Sequence, residues 1–221
     1  DIYHSVDALP GVKKSFIGSG VRYDLSMHPT GNGNIDRNNS RYNRELITHH
    51  TSGRLKVAPE HTSDEVLSVM RKPAFGLFRR FKELFDSVNA SAGLRQQLIP
   101  YFISSHPGCH EADMAELAVE TKALDFHLEQ VQDFTPTPMT LATEIYYTGI
   151  HPYTGREVYT ATGADDKQRQ RMFFFWYDPE YRTRITSELR RIGRPDLISR
   201  LFGDRPPHRY AKGAAKARKK R

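Results

Sequence analysis

Short apolar runs and amphipathic stretches alternate over the first two thirds of the chain. Val12 to Ile17 is β-prone and ends at Gly18-Ser19-Gly20. The polar, Gly- and Asn-rich stretch from Gly31 to Asn39 predicts a loop, followed by a helix around Asn43 to His50. Leu55-Lys56-Val57-Ala58 predicts a second strand closed by Pro59. Thr62-Ser63-Asp64-Glu65 opens a helix, with Thr62 as cap and Glu65 reaching back to the free backbone donors. From Ala74 to Ala92, Phe78, Phe81, Leu84, Phe85 and Val88 share one helical face, and Gly93 supplies the stop. Leu98 to Ser104 predicts a third strand, Glu111 to Leu124 a helix burying Met114, Leu117, Ala118 and Thr121, and Leu128 to Phe134 is a candidate fourth strand.

Strands alternating with helices of this length argue for right-handed βαβ units, hence an α/β fold with a parallel sheet or barrel. The character changes at Thr135-Pro136-Thr137-Pro138. A Tyr-rich stretch follows (Tyr146-Tyr147-Thr148-Gly149), then a turn near Pro152 to Gly155. Helices are predicted around Lys167 to Trp176, Pro179 to Ile192 and Pro195 to Phe202. Phe173 to Trp176 offers a π-face for a base, but the commoner reading is a helix packing two faces at once.

Composition sets the class. At 221 residues and 38% hydrophobic, the chain suffices for one domain, or one domain with an appendage. No stretch approaches the ~20 apolar residues of a membrane span, and the first residues do not read as a signal peptide. A soluble, cytoplasmic protein without membrane contact is expected, and one cysteine allows no intrachain disulfide. The net charge of +7 is concentrated at one end. Eight basic residues and no acidic ones lie between Arg205 and Arg221; the remainder has 25 basic against 26 acidic residues. Such a tail is expected to be disordered, serving solubility or contact with nucleic acid or another acidic partner.

In parallel βα architectures the working residues lie at the C-terminal ends of strands. That rule picks out three places: Ser19 to Asp24, Lys56 to His61, and Ser104-Ser105-His106-Pro107-Gly108. Each joins small residues, which let a ligand approach the backbone, to charged or hydrogen-bonding ones such as Arg22, Lys56 and Glu60. Arg22 and Asp24 could equally form a surface ion pair, and Glu60 a helix-dipole partner. Cys109 and His110 lack the spaced partners a zinc site needs, and Cys109 with His106 makes a poor nucleophile pair because sequence neighbours rarely face one another. His49-His50 is read as capping helix carbonyls. There is no glycine-rich dinucleotide fingerprint and no Walker-type loop.

At these same segments the sequence resembles the YgiQ-type radical S-adenosylmethionine (SAM) proteins of the UPF0313 family. The resembling strings run from Gly11 to Leu25, His49 to His61, Ile99 to Gly108 and Gln130 to Met139, with Tyr146 to Gly149 also fitting. The match extends in order from about residue 8 to about 203 and leaves the basic tail outside. It implies the C-terminal half of a partial (β/α)6 TIM-like barrel over 1–128, a small mostly helical C-terminal extension over 129–204, and a disordered tail over 205–221. The missing N-terminal half of the polypeptide, with its CxxxCxxC loop, would hold the [4Fe-4S] cluster. That cluster and SAM are the cofactors of the full-length enzyme. Reductive cleavage of SAM to a 5′-deoxyadenosyl radical is the implied activity, with substrate unknown.

The same resemblance assigns site residues. Ser19 and Arg22 would approach the ribose or carboxylate of SAM, Lys56 and Glu60 would line the mouth, and Ser104, Ser105, His106 and Gly108 would lie beside the adenine. Tyr23, Asp24, Gln130, Gln132, Asp133 and Tyr146 are substrate-side candidates. Cluster sulfurs are thiolates, and one cysteine cannot supply three; neither cluster nor stable cofactor binding, and no metal site, is expected of this chain alone. The rivals are a nucleic-acid-binding module acting through the tail and a structural domain without a site. A half barrel also leaves open strand edges and an uncovered face, so marginal stability or self-association of the isolated piece is expected.

Overall fold

The computed structural model describes residues 2–203. In chain order its elements are α1 (Ile2–Asp7), α2 (Tyr23–Met27), α3 (Gly33–His49), β1 (Arg54–Glu60), α4 (Asp64–Val69), α5 (Gly76–Ser91), β2 (Gln97–Ser104), α6 (Glu111–Ala123), β3 (Gln130–Asp133), α7 (Leu141–Thr148), α8 (Ala164–Arg171), a 3-10 turn over Met172–Phe175, α9 (Pro179–Arg191) and α10 (Asp196–Phe202). The strands form one parallel sheet in the order β1-β2-β3. Parallel neighbours need a crossover; α4 with α5 makes the first and α6 the second.

Alternation along the strands gives the sheet two unlike faces. Leu55, Val57 and Phe102 are fully buried and join Leu46 and Ile47 of α3 and Phe78 and Phe81 of α5 in one core. Each such phenylalanine contributes on the order of 2 kcal/mol by leaving water. The other face carries Lys56, Tyr101, Ile103 and Gln132, exposed or half-buried. Most buried residues beyond 129 join the same core, while Ile145 and Val158 form a small second cluster with Val69. β3 extends the sheet, and Phe173, Phe174, Ile185, Leu189 and Leu197 are buried in the same cluster as Phe78.

Several local expectations need correction. Val12 to Ile17 is not a strand. Its Ile17 N–H donates to the His50 carbonyl at the end of α3 (2.9 Å), and the chain meets the sheet only further on, where Val21 N–H donates to the Lys56 carbonyl of β1 (2.9 Å). Val21 bridges Val57 in parallel at that point. One bridge beside an exposed Gly18-Ser19-Gly20 is too little for a ladder. The polar stretch after Gly31 is helical from Gly33, because the Asn32 side chain accepts from the N–H groups of Asn34 (3.0 Å) and Ile35 (3.4 Å). Hydrophobic patterning missed this half of α3, whose buried residues are Asn43, Leu46 and Ile47.

Ser63, not Thr62, caps α4, its hydroxyl 3.5 Å from Val66 N. The Tyr-rich stretch is α7, started by Thr140 and stopped by Gly149 at φ +69°. The helix expected from Lys167 begins at Ala164 and tightens into the 3-10 turn. At the end of α5, Leu94 N–H bonds back to the Asn89 carbonyl (2.8 Å) around Gly93 at φ +63°, the stop expected of that glycine. The basic tail from Arg205 onward lies outside the described residues.

Candidate functional site

Backbone strain marks the C-terminal ends of β1 and β2. Glu60, the last residue of β1, has φ +67°, and Ser105, just after β2, has φ +60°. A non-glycine residue there costs about 1 kcal/mol, so its surroundings must hold it. Glu60 accepts from Lys72 Nζ at 3.0 Å, and that ammonium also reaches the Ala58 carbonyl at 3.5 Å. Ser105 is held by Gln170 of α8, whose Oε1 accepts from Ser105 N–H (2.8 Å) while its Nε2 donates to the Cys109 carbonyl (2.6 Å).

The loop that Gln170 spans is buried and polar. The Ser104 hydroxyl donates to Asp133 at 2.5 Å, and Arg171 also reaches Asp133 at 3.1 Å. Ser105 Oγ is buried with no partner among the described residues. His106 is 5% exposed, and its Nδ1–H donates to the Pro107 carbonyl (2.9 Å). That tautomer leaves Nε2 a free acceptor among the described residues. Burial pushes the His106 pKa down and keeps the ring neutral. Gly108 at φ +87° turns the chain toward α6, and its N–H donates to the Tyr159 carbonyl (2.8 Å).

Cys109 does find an imidazole, but it is that of His61, with Nε2 3.4 Å from Sγ. Ser63 N–H donates to His61 Nδ1 (3.0 Å), so the ring proton sits on Nε2 and points at sulfur. Burial lowers the His61 pKa to about 3 and raises that of the thiol. His61 therefore donates to a protonated Cys109 and does not deprotonate it. The pair ties the loop after β1 to the loop after β2.

The remaining candidates fall in different places. Arg22 and Asp24 form a forked ion pair (2.8 and 2.6 Å), and the guanidinium beside it holds the Asp24 carboxyl below its usual range. Tyr23 is 5% exposed and packs on Phe78 and Phe81, a core position. Ser19 and Lys56 are exposed; Gln130 is half-buried and Gln132 exposed on the open sheet face. Tyr146 is buried beside Phe134 (5.6 Å), with Lys167 over its ring at 5.2 Å. His106 also meets Phe134 edge-on (4.9 Å), so the end of β3, α7 and the β2–α6 loop share one aromatic cluster.

Sequence reasoning passed over Gln170, Lys72 and the pairing of His61. Nothing local distinguishes a glutamine whose partners lie 65 and 61 residues away. His50, read as a cap, is buried, and its Nδ1 lies 3.0 Å from the Ser15 carbonyl. A shallow groove of about 900 Å³ runs along α1 and α3, lined by His4, Arg37, Arg41 and Arg44 among others. It shares no residue with the strand-end loops, and its carboxylates Asp36 and Glu45 already engage Thr30 and His4.

Residues 129–220 match a family described as "Domain of unknown function (DUF3362)". Over 205 residues the chain is 66% identical to a UPF0313 protein of Bacteroides thetaiotaomicron, an alignment covering 93% of this chain and 33% of that relative. It is 61% identical over 202 residues to a UPF0313 protein of Porphyromonas gingivalis, covering 91% and 32%. It is 40% identical over 203 residues to the UPF0313 protein YgiQ of Escherichia coli, covering 90% and 26%. The chain belongs to the UPF0313 family. It spans about a third or less of the length of these curated relatives.

Within this UPF0313 chain, the part matching the domain of unknown function begins just before β3 and includes Gln170, Arg171 and Tyr159. In its aromatic run Phe173 and Phe174 are fully buried, and Phe175 and Trp176 are half-buried against the same core. The described part of the UPF0313 chain has no group of three or more His, Cys, Asp or Glu placed to hold a metal ion, and no helix long and apolar enough to cross a membrane.

Proposed function

We propose that this chain forms the later strands of a radical SAM barrel and that its strand-end loops hold the S-adenosylmethionine of the whole protein. The observation that carries the reading is the strained, buried loop after β2. There, among the described residues, Ser105 Oγ lacks a partner and His106 Nε2 is a free acceptor, on consecutive residues at the end of a parallel strand. Ligands of parallel sheets bind at that end. A hydroxyl and a neutral imidazole nitrogen suit the amine and ring nitrogens of an adenine.

The neighbouring strand ends supply groups for the rest of such a ligand. Arg22 keeps one guanidinium nitrogen outside its fork with Asp24 and can take a carboxylate there, or by exchanging Asp24 for it. Lys56 stands on the open face, and Glu60, already paired with Lys72, shapes the rim between them. Gln130 and Gln132, on the open face with Tyr101 and Ile103, would be substrate-side groups, and the Ser104–Asp133–Arg171 cluster, on the opposite face, would brace the strand ends beneath them.

An iron–sulfur cluster does not fit this chain. Three thiolates are needed, and the single cysteine is buried, protonated and bonded to His61. The chain's own part is to bind and orient SAM and to keep water from it, while the electron chemistry belongs to residues outside it.

The test compares the anaerobically reconstituted full-length protein with this 221-residue chain. Iron, labile sulfide, absorbance near 400 nm and SAM cleavage on reduction are measured for both. The reading stands if the longer protein takes up about four irons and cleaves SAM while the shorter does neither. A full-length protein without a cluster would sink it.

A further inference from the structure

We infer that the segment matching the domain of unknown function shapes the strand-end site, with Gln170 as the positioning residue of the loop between β2 and α6. Gln170 is fully buried, and both ends of its amide are engaged by backbone groups at the two ends of that loop, Ser105 N–H and the Cys109 carbonyl. Within the loop the backbone makes one bond of its own, from Cys109 N–H to the His106 carbonyl at 2.9 Å. Ser105 sits at φ +60°, where an L-residue stays only if held.

The same segment braces the loop elsewhere. Phe134 N–H donates to the Ser104 carbonyl and Gly108 N–H to the Tyr159 carbonyl, both at 2.8 Å. Tyr159 also stacks on His110, with ring centroids 4.2 Å apart. Arg171, next to Gln170, reaches the Asp133 that accepts from Ser104. Every residue of the loop that bears an unpaired polar group is thus bounded by contacts from beyond residue 129. The direction in which Ser105 Oγ and His106 Nε2 point is set by Gln170 and not by the strand that carries them.

The identity of the ligand rests on the reading above; the clamp itself does not. It is tested in the full-length protein with Gln170→Met, which keeps the side chain's length and removes both hydrogen bonds, and Gln170→Glu, which keeps an acceptor for Ser105 N–H. Amide hydrogen exchange at Ser105 and Gly108 is followed without ligand, and SAM affinity by equilibrium dialysis. With Gln170→Met, exchange at both amides should quicken while α6 stays protected, and SAM should bind about tenfold more weakly. Gln170→Glu should recover protection at Ser105 and part of the affinity.

Unchanged exchange in a folded Gln170→Met protein overturns the clamp. Quickened exchange with undiminished SAM affinity overturns its role at the site. If Gln170→Met does not fold, Gln170→Glu decides: having lost the bond to the Cys109 carbonyl, it should still quicken exchange at Gly108 and weaken SAM binding, and an unchanged rate at Gly108 overturns the clamp. A wild-type protein that binds no SAM refutes the proposed ligand, and the exchange measurement still decides the clamp.

Discussion

His61 Nε2 lies 3.4 Å from Cys109 Sγ, both side chains fully buried, and the contact joins the loops that follow two adjacent parallel strands. With the imidazole proton on the nitrogen facing sulfur, this is a structural tie between a neutral donor and a neutral thiol. A pair built for nucleophilic attack would have the opposite polarity, with a base accepting from sulfur and a lowered thiol pKa.

Cys109 should accordingly be inert in the folded protein. A chromogenic disulfide reagent at pH 8 should react with it only at the rate of unfolding, and immediately in denaturant. Fast labelling of the native protein would contradict the assignment. Cys109→Ala should cost about 1–2 kcal/mol, measured by urea titration, through the lost contact and the unpaired His61 N–H.

Acid should weaken the fold before the carboxylates titrate. His61 has a folded pKa of about 3 against an ordinary value of 6.5, and burial depresses His106 in the same direction. Above pH 6.5 both states carry neutral rings and nothing is lost. Below it the unfolded chain binds protons that the folded one refuses, so stability falls with falling pH, by about 1.4 kcal/mol per unit for His61, with His106 acting in the same direction. Trp176 fluorescence in urea should show the midpoint dropping between pH 6.5 and 4.5, and His61→Leu should flatten the slope. An equal slope in that variant would assign the effect elsewhere.

The two strand-end ion pairs should differ in weight. Arg22→Ala breaks an exposed pair and should change stability by less than about 1 kcal/mol. Lys72→Met leaves Glu60 half-buried, at a strained φ and without its cation, and should cost about 1–3 kcal/mol. Thermal or urea unfolding of both variants checks the order; a larger loss from Arg22→Ala would reverse it.

Phe173 tests whether the segment after 129 folds with the sheet. It is fully buried in the core that also holds Phe78 and Phe102. Phe173→Ala should cost about 3–5 kcal/mol and lower the whole transition, not a separate one. Two resolved transitions, only one of them shifted, would mean two independently stable units.

Much of this fold was legible along the chain. The apolar runs at Leu55 and Leu98 became β1 and β2, and the Phe78, Phe81, Phe85 stripe became the buried face of α5, because periodicities of two and 3.6 are local properties of the backbone. Of the three segments picked out as strand ends, Lys56 to His61 and Ser104 to Gly108 do close strands, whereas Ser19 to Asp24 follows no strand and touches the sheet at the single Val21–Val57 bridge. Val12 to Ile17 failed because a strand needs a neighbour along its length, which only the tertiary arrangement supplies or withholds. The start of α3 was hidden because one asparagine cap, and no apolar stripe, begins it.

By itself the sequence determined the parallel α/β order, most of the helix faces, the presence of a single cysteine, and the UPF0313 resemblance. Only the tertiary structure decided what those residues do to one another. It put His61, not His106, against Cys109, tied Arg22 to Asp24 and Glu60 to Lys72, and sent Gln170 into a loop 61 to 65 residues away. The reason is physical. Periodicity records how a residue meets its neighbours along a helix or strand, whereas a buried polar group takes whichever partner the fold brings within hydrogen-bond reach.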